Sequence, residues 1–223
     1  MSPRPRWVVL AMLLVAFGAG VVAAGQRSDP PSLPGVERLG PETGEPVAAY
    51  LRRAAASLPA PGAGEAWALV QLTEHREAGT AAQLVRGARI SRVLLRVRLP
   101  RVQTALVSRV VSGQRPVAEL AGAMRAAARD RAVVASEALA GSRVAAVAAA
   151  EARRLRDGCA CVLALLVRGD RAVLERLAAR EGVRAVHAAR VGTPPQGLAL
   201  APLLPEQRET VGPVPDDGPV PQG

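Results

Sequence analysis

The chain has 223 residues, of which 49% are hydrophobic but only 2% aromatic, so its core must be built from Ala, Val and Leu. All 29 basic residues are Arg, against 19 acidic residues, and the formal net charge is +10. With two histidines, no lysine and no asparagine, the chain is short of general bases. It also lacks a glycine-rich phosphate loop and the G-x-S-x-G and H-E-x-x-H motifs, so we expect no enzyme and no cofactor. Arginines without interleaved aromatic residues do not indicate nucleic-acid binding.

The longest apolar run, Trp7–Gly25, has 19 residues and no charge. At about 1.5 Å per residue it spans about 28 Å, close to the hydrocarbon thickness of a bilayer. Residues 1–6 carry Arg4 and Arg6, which favours a cytoplasmic N-terminus. The sequence predicts a single transmembrane anchor at 7–25 with the domain on the extracytoplasmic side of the cell membrane. The small residues Val22–Ala24 leave cleavage and secretion open as the alternative.

Two segments rich in proline and glycine flank the predicted domain at 66–193. Residues 26–65 are predicted to be a linker with one short helix after Pro46, whose Tyr50 caps the domain or lies on the membrane surface. Residues 194–223 are predicted to be mostly disordered, although the apolar run at 198–204 can pack back on the domain. The domain holds 22 Arg against 10 acidic residues, so it is the basic part of the chain.

Periodicity and turn residues divide this domain into alternating strands and helices. The predicted strands are 66–75, 89–99, 102–111, 159–167 and 183–191, and the predicted helices are 79–87, an Ala-rich region at 116–157 and 171–181. Thr80 is the expected N-cap of the first helix and Asp170 that of the last. The wholly apolar run at 159–167 is typical of a central strand covered on both faces. This order predicts an α+β fold, a two-layer helix/sheet sandwich that is ferredoxin-like in style.

The Ala-rich region is too long to be one helix of a domain this size. Uninterrupted, its 42 residues would extend about 63 Å. Gly141 and Ser142 mark the break, and two arrangements remain open. Either two helices pack on the sheet, or a helical hairpin projects from it.

Arg92, Arg96 and Arg98 form the most distinctive polar pattern. In the strand at 89–99 they alternate with apolar residues, which predicts one buried and one largely wet, cationic face. Three arginines on one face are able to clamp a phosphate or carboxylate, so they are the candidate anion-binding residues. The alternative is a solvated face, or arginines paired with glutamates of the helices.

Cys159 and Cys161 are the only cysteines, and an extracytoplasmic compartment favours their oxidation. A local disulfide, two free buried thiols, a redox or intermolecular role and a metal site all remain open. With His75 and His187 they would complete a Cys₂His₂ zinc set, but these residues need a fortunate strand register to converge. We expect hydrogen-bonded histidines and no metal.

These features favour a membrane-anchored extracytoplasmic interaction or scaffold protein of the cell envelope, with a protein partner there. The alternative is an anchored or secreted module that binds an anionic ligand, an acidic polymer or a lipid headgroup, through the Arg-rich sheet face. A thiol–disulfide enzyme using Cys159 and Cys161 is the third hypothesis.

Overall fold

A computed structural model of the chain describes residues 36–221. The predicted anchor Trp7–Gly25 and the segment before it lie outside the described residues. None of the helices between residues 36 and 221 combines the length and the hydropathy that a membrane span requires.

Residues 36–221 form five α-helices and seven β-strands in two sheets, which confirms the mixed α+β class. The helices are α1 Val47–Ala56, α2 Ala78–Leu84, α3 Pro116–Glu137, α4 Arg143–Arg156 and α5 Arg171–Ala178. The strands are β1 Glu37–Leu39, β2 Ala66–Arg76, β3 Arg89–Leu95, β4 Val107–Val110, β5 Val162–Gly169, β6 Val183–Ala188 and β7 Leu198–Leu200.

The main sheet has the strand order β4-β3-β5-β2-β6, and every neighbouring pair is antiparallel. β5 is central, as its apolar sequence predicted, and the residues from Val162 to Val167 are fully buried. The crossover β2-α2-β3 skips over β5, and the crossover β5-α5-β6 skips over β2. Two strand–helix–strand units therefore interleave in one sheet.

Helices α2 to α5 bury their apolar residues against one side of this sheet, which we call the helix face. One continuous cluster includes Leu120 of α3, Leu155 of α4 and Leu174 of α5 together with Val70 of β2 and Leu165 of β5. Alanines of the two longest helices, such as Ala127 of α3 and Ala148 of α4, are fully buried as well. The core is thus built from the residue types that the composition indicated.

The hairpin of α3 and α4 combines the two predicted arrangements. Its base packs into the core, whereas its tip carries exposed Val133, Leu139 and Val144. The turn falls where Gly141 and Ser142 predicted it, and the Ser142 side chain caps α4 by accepting a hydrogen bond from the Ala145 amide, 3.2 Å away.

Asp170 caps α5 as expected, because its Oδ1 accepts from the Val173 amide at 2.8 Å. The first predicted cap is wrong. α2 begins at Ala78 after Glu77 and includes Thr80, and the Glu77 side chain makes no capping hydrogen bond.

The opposite side of the sheet, which we call the second face, is also covered. The predicted two-layer sandwich would leave this face open to solvent. β1 pairs in parallel with β7, Glu37 opposite Leu198, and this ribbon buries Leu39 and Leu198 against Leu163 and Leu166 of β5. Next to it α1 packs Tyr50 against Ala185 of β6 and Leu203. The covering residues come from the two segments that flank the predicted domain.

The boundaries drawn from composition therefore differ from the described fold. Residues 36–65 hold β1 and α1, and α1 begins directly after Pro46. Residues 194–221 return along the domain, although most of them have no regular secondary structure. Arg143 of α4 fixes this segment by bonding Asp216 and the Gly218 carbonyl. Proline and glycine here shape turns of a packed segment rather than a free tether.

Candidate functional site

A cleft of about 540 Å³ opens where β2 ends and the chain enters β5. We call it the cationic cleft. Its lining comes from four separate parts of the chain, which are Thr73, Glu74 and His75, then Arg98, then Ala160, and finally Pro205, Glu206 and Arg208.

Irregularities in the sheet bring these parts together. The register between β2 and β5 shifts between Gln71 and Arg76, so Thr73, Glu74 and His75 leave the regular ladder. The amide of Thr73 bonds instead to the Gly182 carbonyl, at 3.0 Å. β3 ends at Leu95, and Arg98 lies in the irregular segment beyond it.

The far wall of the cleft belongs to the C-terminal segment. Arg184 of β6 holds this segment through a hydrogen bond from its guanidinium to the Leu204 carbonyl, at 2.9 Å. Glu206 and Arg208 follow directly and line the cleft. One wall of the cleft is thus formed by residues 205–208, which belong to the segment that the composition predicted to be disordered.

Arg96 is a buried charge that is linked to the cleft through Glu206. It is only 5% exposed, and its guanidinium forms an ion pair with Glu206. Its amide donates to the carbonyl of Cys161 at 2.9 Å, which continues the pairing of β3 with β5. Burial of the Glu206 carboxyl raises its pKa, but the hydrogen bond and charge of Arg96 outweigh this and leave the pKa below its usual value.

The remaining charges leave the cleft positive. Glu74 is paired with Arg76 at 2.7 Å, and Glu206 is paired with Arg96. Arg98 and Arg208 have no ion-pair partner among residues 36–221, and both are exposed to solvent. Two guanidinium groups are therefore available to an anion.

His75 also lines the cleft and is able to form hydrogen bonds there. Burial lowers its pKa, and the charges of Arg96 and Arg98 lower it further, against the opposing effect of Glu206. Its Nε2 is buried without a hydrogen-bond partner in the described part of the chain. The imidazole is therefore neutral near pH 7, and it contributes shape and hydrogen bonding rather than charge.

The three arginines predicted to share a face do not line one site. Arg98 lines the cationic cleft, Arg96 reaches it only through the ion pair with Glu206, and Arg92 lies within the sheet opposite Val110 and Leu166. The alternation itself holds from Val93 onward, since Val93, Leu95, Val97 and Leu99 belong to the helix-face cluster and Leu94 to the second-face cluster. Ile90, which precedes the register shift at Arg92, is the exception, because it also lies in the helix-face cluster.

The expected wet cationic face is corrected as well. Leu94, which the period-2 pattern placed beside the arginines, is 1% exposed. It belongs to the apolar cluster of the second face, where Leu200 and Leu204 pack against it. The terminal segments exclude the water that the pattern implied.

Cys159 and Cys161 are joined by a disulfide in the structure, with their Cα atoms 5.3 Å apart. Ala160, the residue between them, is exposed and lines the cleft. Cys161 is buried and Cys159 half-buried. Among residues 36–221 no group of three or more His, Cys, Asp and Glu side chains is arranged to hold a metal ion.

The second histidine, His187, belongs to a buried polar network on the second face. Its Nδ1 accepts from the Gly40 amide at 3.0 Å, and the Tyr50 hydroxyl lies 3.4 Å from the same nitrogen. Gln71 donates to that hydroxyl at 2.5 Å and accepts from the Leu203 amide at 2.7 Å. Tyr50 thus caps the domain, and this network joins both terminal segments to the sheet.

Sequence reasoning missed Glu206 and Arg208, and it considered His75 as a hydrogen-bonded histidine or a zinc ligand rather than as part of a binding cleft. Arg96 and Glu206 are 110 residues apart, and no local pattern links them. The only available signal was the apolar run at 198–204, which indicated that this segment returns to the domain.

Comparisons of this chain with protein-family models, with curated proteins and with solved structures find no match.

Proposed function

We propose that this chain is a membrane-anchored extracytoplasmic binding protein that recognises an anionic ligand in the cationic cleft. The observation that carries the proposal is a pair of guanidinium groups, Arg98 and Arg208, that line one cleft and have no ion-pair partner in the described part of the chain. Hydrogen bonds from charged donors contribute about 1.5 to 3 kcal/mol each, more than neutral ones. The ligand group is a phosphate or a carboxylate, as acidic polymers and lipid headgroups carry.

The size of the cleft supports a ligand larger than a single ion. Its volume of about 540 Å³ lies within the range of small-molecule sites. Glu74 and Glu206 line it as well, so a ligand with hydroxyl groups beside its anionic group finds hydrogen-bond acceptors there. Such a ligand resembles part of an acidic polymer or a headgroup more than a bare anion.

The anchor and the location rest on the sequence. The uncharged run Trp7–Gly25 after Arg4 and Arg6 favours a single span with the N-terminus in the cytoplasm. Sequencing the N-terminus of the protein purified from membranes tests this. An N-terminus at Gly25 or Gln26 would overturn the anchor and favour secretion.

We also infer a ferredoxin-like arrangement for four strands of the main sheet. The order β6-β2-β5-β3 with two interleaved crossovers supports it, and β4 and the hairpin of α3 and α4 are additions between β3 and β5. A fold of this type implies no particular function.

The second candidate function is an interaction or scaffold protein of the cell envelope. The exposed apolar tip of the helical hairpin favours it, since Leu139 is 82% exposed and Val144 60%. Surfaces of this kind are found at protein contacts. A substitution of Leu139 by Gln that abolishes a partner's binding but spares anion binding would favour this candidate.

The experiment that tests anion binding compares two double variants of the full chain in uncharged detergent. Arg98→Gln with Arg208→Gln removes both free guanidinium groups of the cleft. Arg125→Gln with Arg129→Gln, on the exposed side of α3, lowers the net charge equally but leaves the cleft intact. We expect the first pair to weaken binding roughly tenfold or more, about 1.4 kcal/mol, and the second pair to change it little.

Three probes distinguish the sources of the anionic group. Inorganic phosphate tests the bare anion, glycerol phosphate the headgroup fragment and polyglutamate the acidic polymer. Equal losses in both double variants would mean that binding follows overall charge and would refute the cleft. Binding that disappears at high salt in both variants alike would lead to the same conclusion, because exposed charges are screened within roughly 8 to 10 Å.

A further inference from the structure

The disulfide between Cys159 and Cys161 forms part of the wall of the cationic cleft. Ala160, between the two cysteines, is exposed and lines the cleft beside His75 and Arg98. The position of this residue is fixed on both sides by bonded sulfur atoms, so the bond determines where this part of the wall lies.

Main-chain hydrogen bonds connect this tripeptide to its surroundings. On one side the Cys159 amide donates to the Arg154 carbonyl of α4 at 3.1 Å. On the other side the Cys161 carbonyl accepts from the Arg96 amide at 2.9 Å. The disulfide therefore links the end of α4 to the residue whose guanidinium holds Glu206 at the opposite wall.

This bond also has the properties of a reducible disulfide. It closes a loop of only three residues, so it removes little entropy from the unfolded chain and contributes little to stability. Cys159 is half-buried and therefore the more accessible of the two cysteines, whereas Cys161 is 1% exposed. Structural disulfides resist reduction, while exposed ones are more labile.

We propose that the Cys159–Cys161 disulfide is a redox latch that holds the cationic cleft in its anion-binding form. This inference rests on the proposed function, because it concerns the regulation of the same cleft. Reduction frees the wall around Ala160, loosens the Arg96 amide from the Cys161 carbonyl and weakens anion binding.

The reductant is a dithiol, of the kind that thiol–disulfide oxidoreductases present. One of its thiolates attacks Cys159 Sγ, the sulfur–sulfur bond breaks, and Cys161 leaves as a thiolate that takes up a proton. The second thiol of the reductant then attacks the mixed disulfide and releases the Cys159 thiol. Two electrons pass from the dithiol, which becomes a disulfide, to the Cys159–Cys161 pair.

The test measures anion binding of the full chain before and after reduction. Dithiothreitol is the appropriate reductant, since a phosphine with three carboxylates would itself compete for the cleft. We expect two thiols per chain after treatment and a rise in the Kd for glycerol phosphate of roughly tenfold. The control Cys159→Ala with Cys161→Ala is expected to bind like the reduced protein and to be insensitive to dithiothreitol.

Amide hydrogen exchange provides a readout that does not depend on the ligand. The latch predicts faster exchange at the Arg96 amide after reduction, with unchanged exchange at the centre of β5. If the oxidised protein binds none of the probes, the proposed function fails, and the exchange at Arg96 still tests the latch. A fully reduced protein with unchanged Kd, unchanged exchange at Arg96, or a bond that excess dithiothreitol leaves intact overturns the inference.

Discussion

The two faces of the central sheet are covered by different means. On the helix face, four helices bury one large continuous apolar cluster. On the second face, two terminal segments with little regular structure bury two small clusters. The cover of one face is therefore held mainly by apolar contacts, whereas the cover of the other face needs further interactions to hold it in place.

Buried polar side chains provide these further interactions on the second face. Four polar or charged side chains are buried among residues 36–221, namely Gln71, Arg96, Glu151 and His187. Three of these bond to the terminal segments, and only Glu151, which pairs with Arg131, belongs to the helices. Two of these contacts involve groups whose pKa is lowered in the fold, His187 and Glu206, whereas apolar packing does not titrate, so the second face is sensitive to pH.

The largest expected effect compares two leucines of the same strand. Leu165 of β5 points into the helix-face cluster and Leu163 into the second-face cluster, and both are fully buried. We expect Leu165→Ala to lower the free energy of unfolding by about 4 kcal/mol and Leu163→Ala by about 2 to 3 kcal/mol, because a thin cover relaxes into the cavity more easily. Urea unfolding followed by circular dichroism measures both. Equal losses would show that the two faces are packed alike.

The next effect concerns the backbone of the second face. Gly40 has a φ of +136°, and a Cβ atom there would overlap the Ala201 carbonyl oxygen. Gly40→Ala is expected to cost at least about 3 kcal/mol and to detach the segment that bonds to His187. Gly44, at a φ of +81° with open space around it, is the matched control, with a cost of about 1 kcal/mol.

Amide hydrogen exchange separates detachment of this segment from global unfolding. The Gly40→Ala variant should lose protection in β1 and β7, while the interior of α3 stays protected. Loss of protection in α3 as well would mean that the two faces unfold together and are not independent.

The smallest effect is the pH dependence of the second face. Burial lowers the pKa of His187 to about 4, and the nearby charge of Arg53 adds to this. The unfolded chain, with a histidine pKa of about 6.5, takes up the proton first, so stability falls as the pH drops from about 6.5 towards about 4. Between about pH 7 and about pH 5 the loss is about 2 kcal/mol.

The variant His187→Gln tests this assignment, because Gln is able to accept from the Gly40 amide but does not titrate. Its free energy of unfolding should change less over the same pH range than that of the unmodified chain. His75 also has a lowered pKa, so His75→Gln serves as the second histidine control. An unchanged pH dependence in His187→Gln would assign the effect to other groups.

Much of the secondary structure could be predicted because its signals are local. Ser142 and Asp170 each mark the start of a helix. The side-chain oxygen of each accepts a hydrogen bond from the backbone amide three residues later, which has no partner within the helix. The apolar run of β5 predicted a central strand, because a strand that is apolar on both faces must be covered on both faces of the sheet.

The second face and the cleft could not be predicted, for two physical reasons. Gly40 and His187 are 147 residues apart, and contacts at such separations leave no periodic pattern. Proline and glycine in residues 36–65 and 194–221 also have the composition of a flexible tether, although here they shape turns of packed segments. Of Arg92, Arg96 and Arg98 only Arg98 lines the cleft, because the position of the cleft depends on the irregular segment after β3 and on residues 205–208, neither of which has a local signal.

The parallel pairing of β1 with β7 also determines when the fold can be completed. Glu37 lies opposite Leu198, so β1 cannot pair with its partner until the chain has been made as far as β7. The helix face, whose elements all precede β7, is able to assemble before then. A nascent or prematurely terminated chain that lacks β7 leaves the Leu163 side of the sheet uncovered, which makes such chains prone to aggregation and a natural target for quality-control proteases.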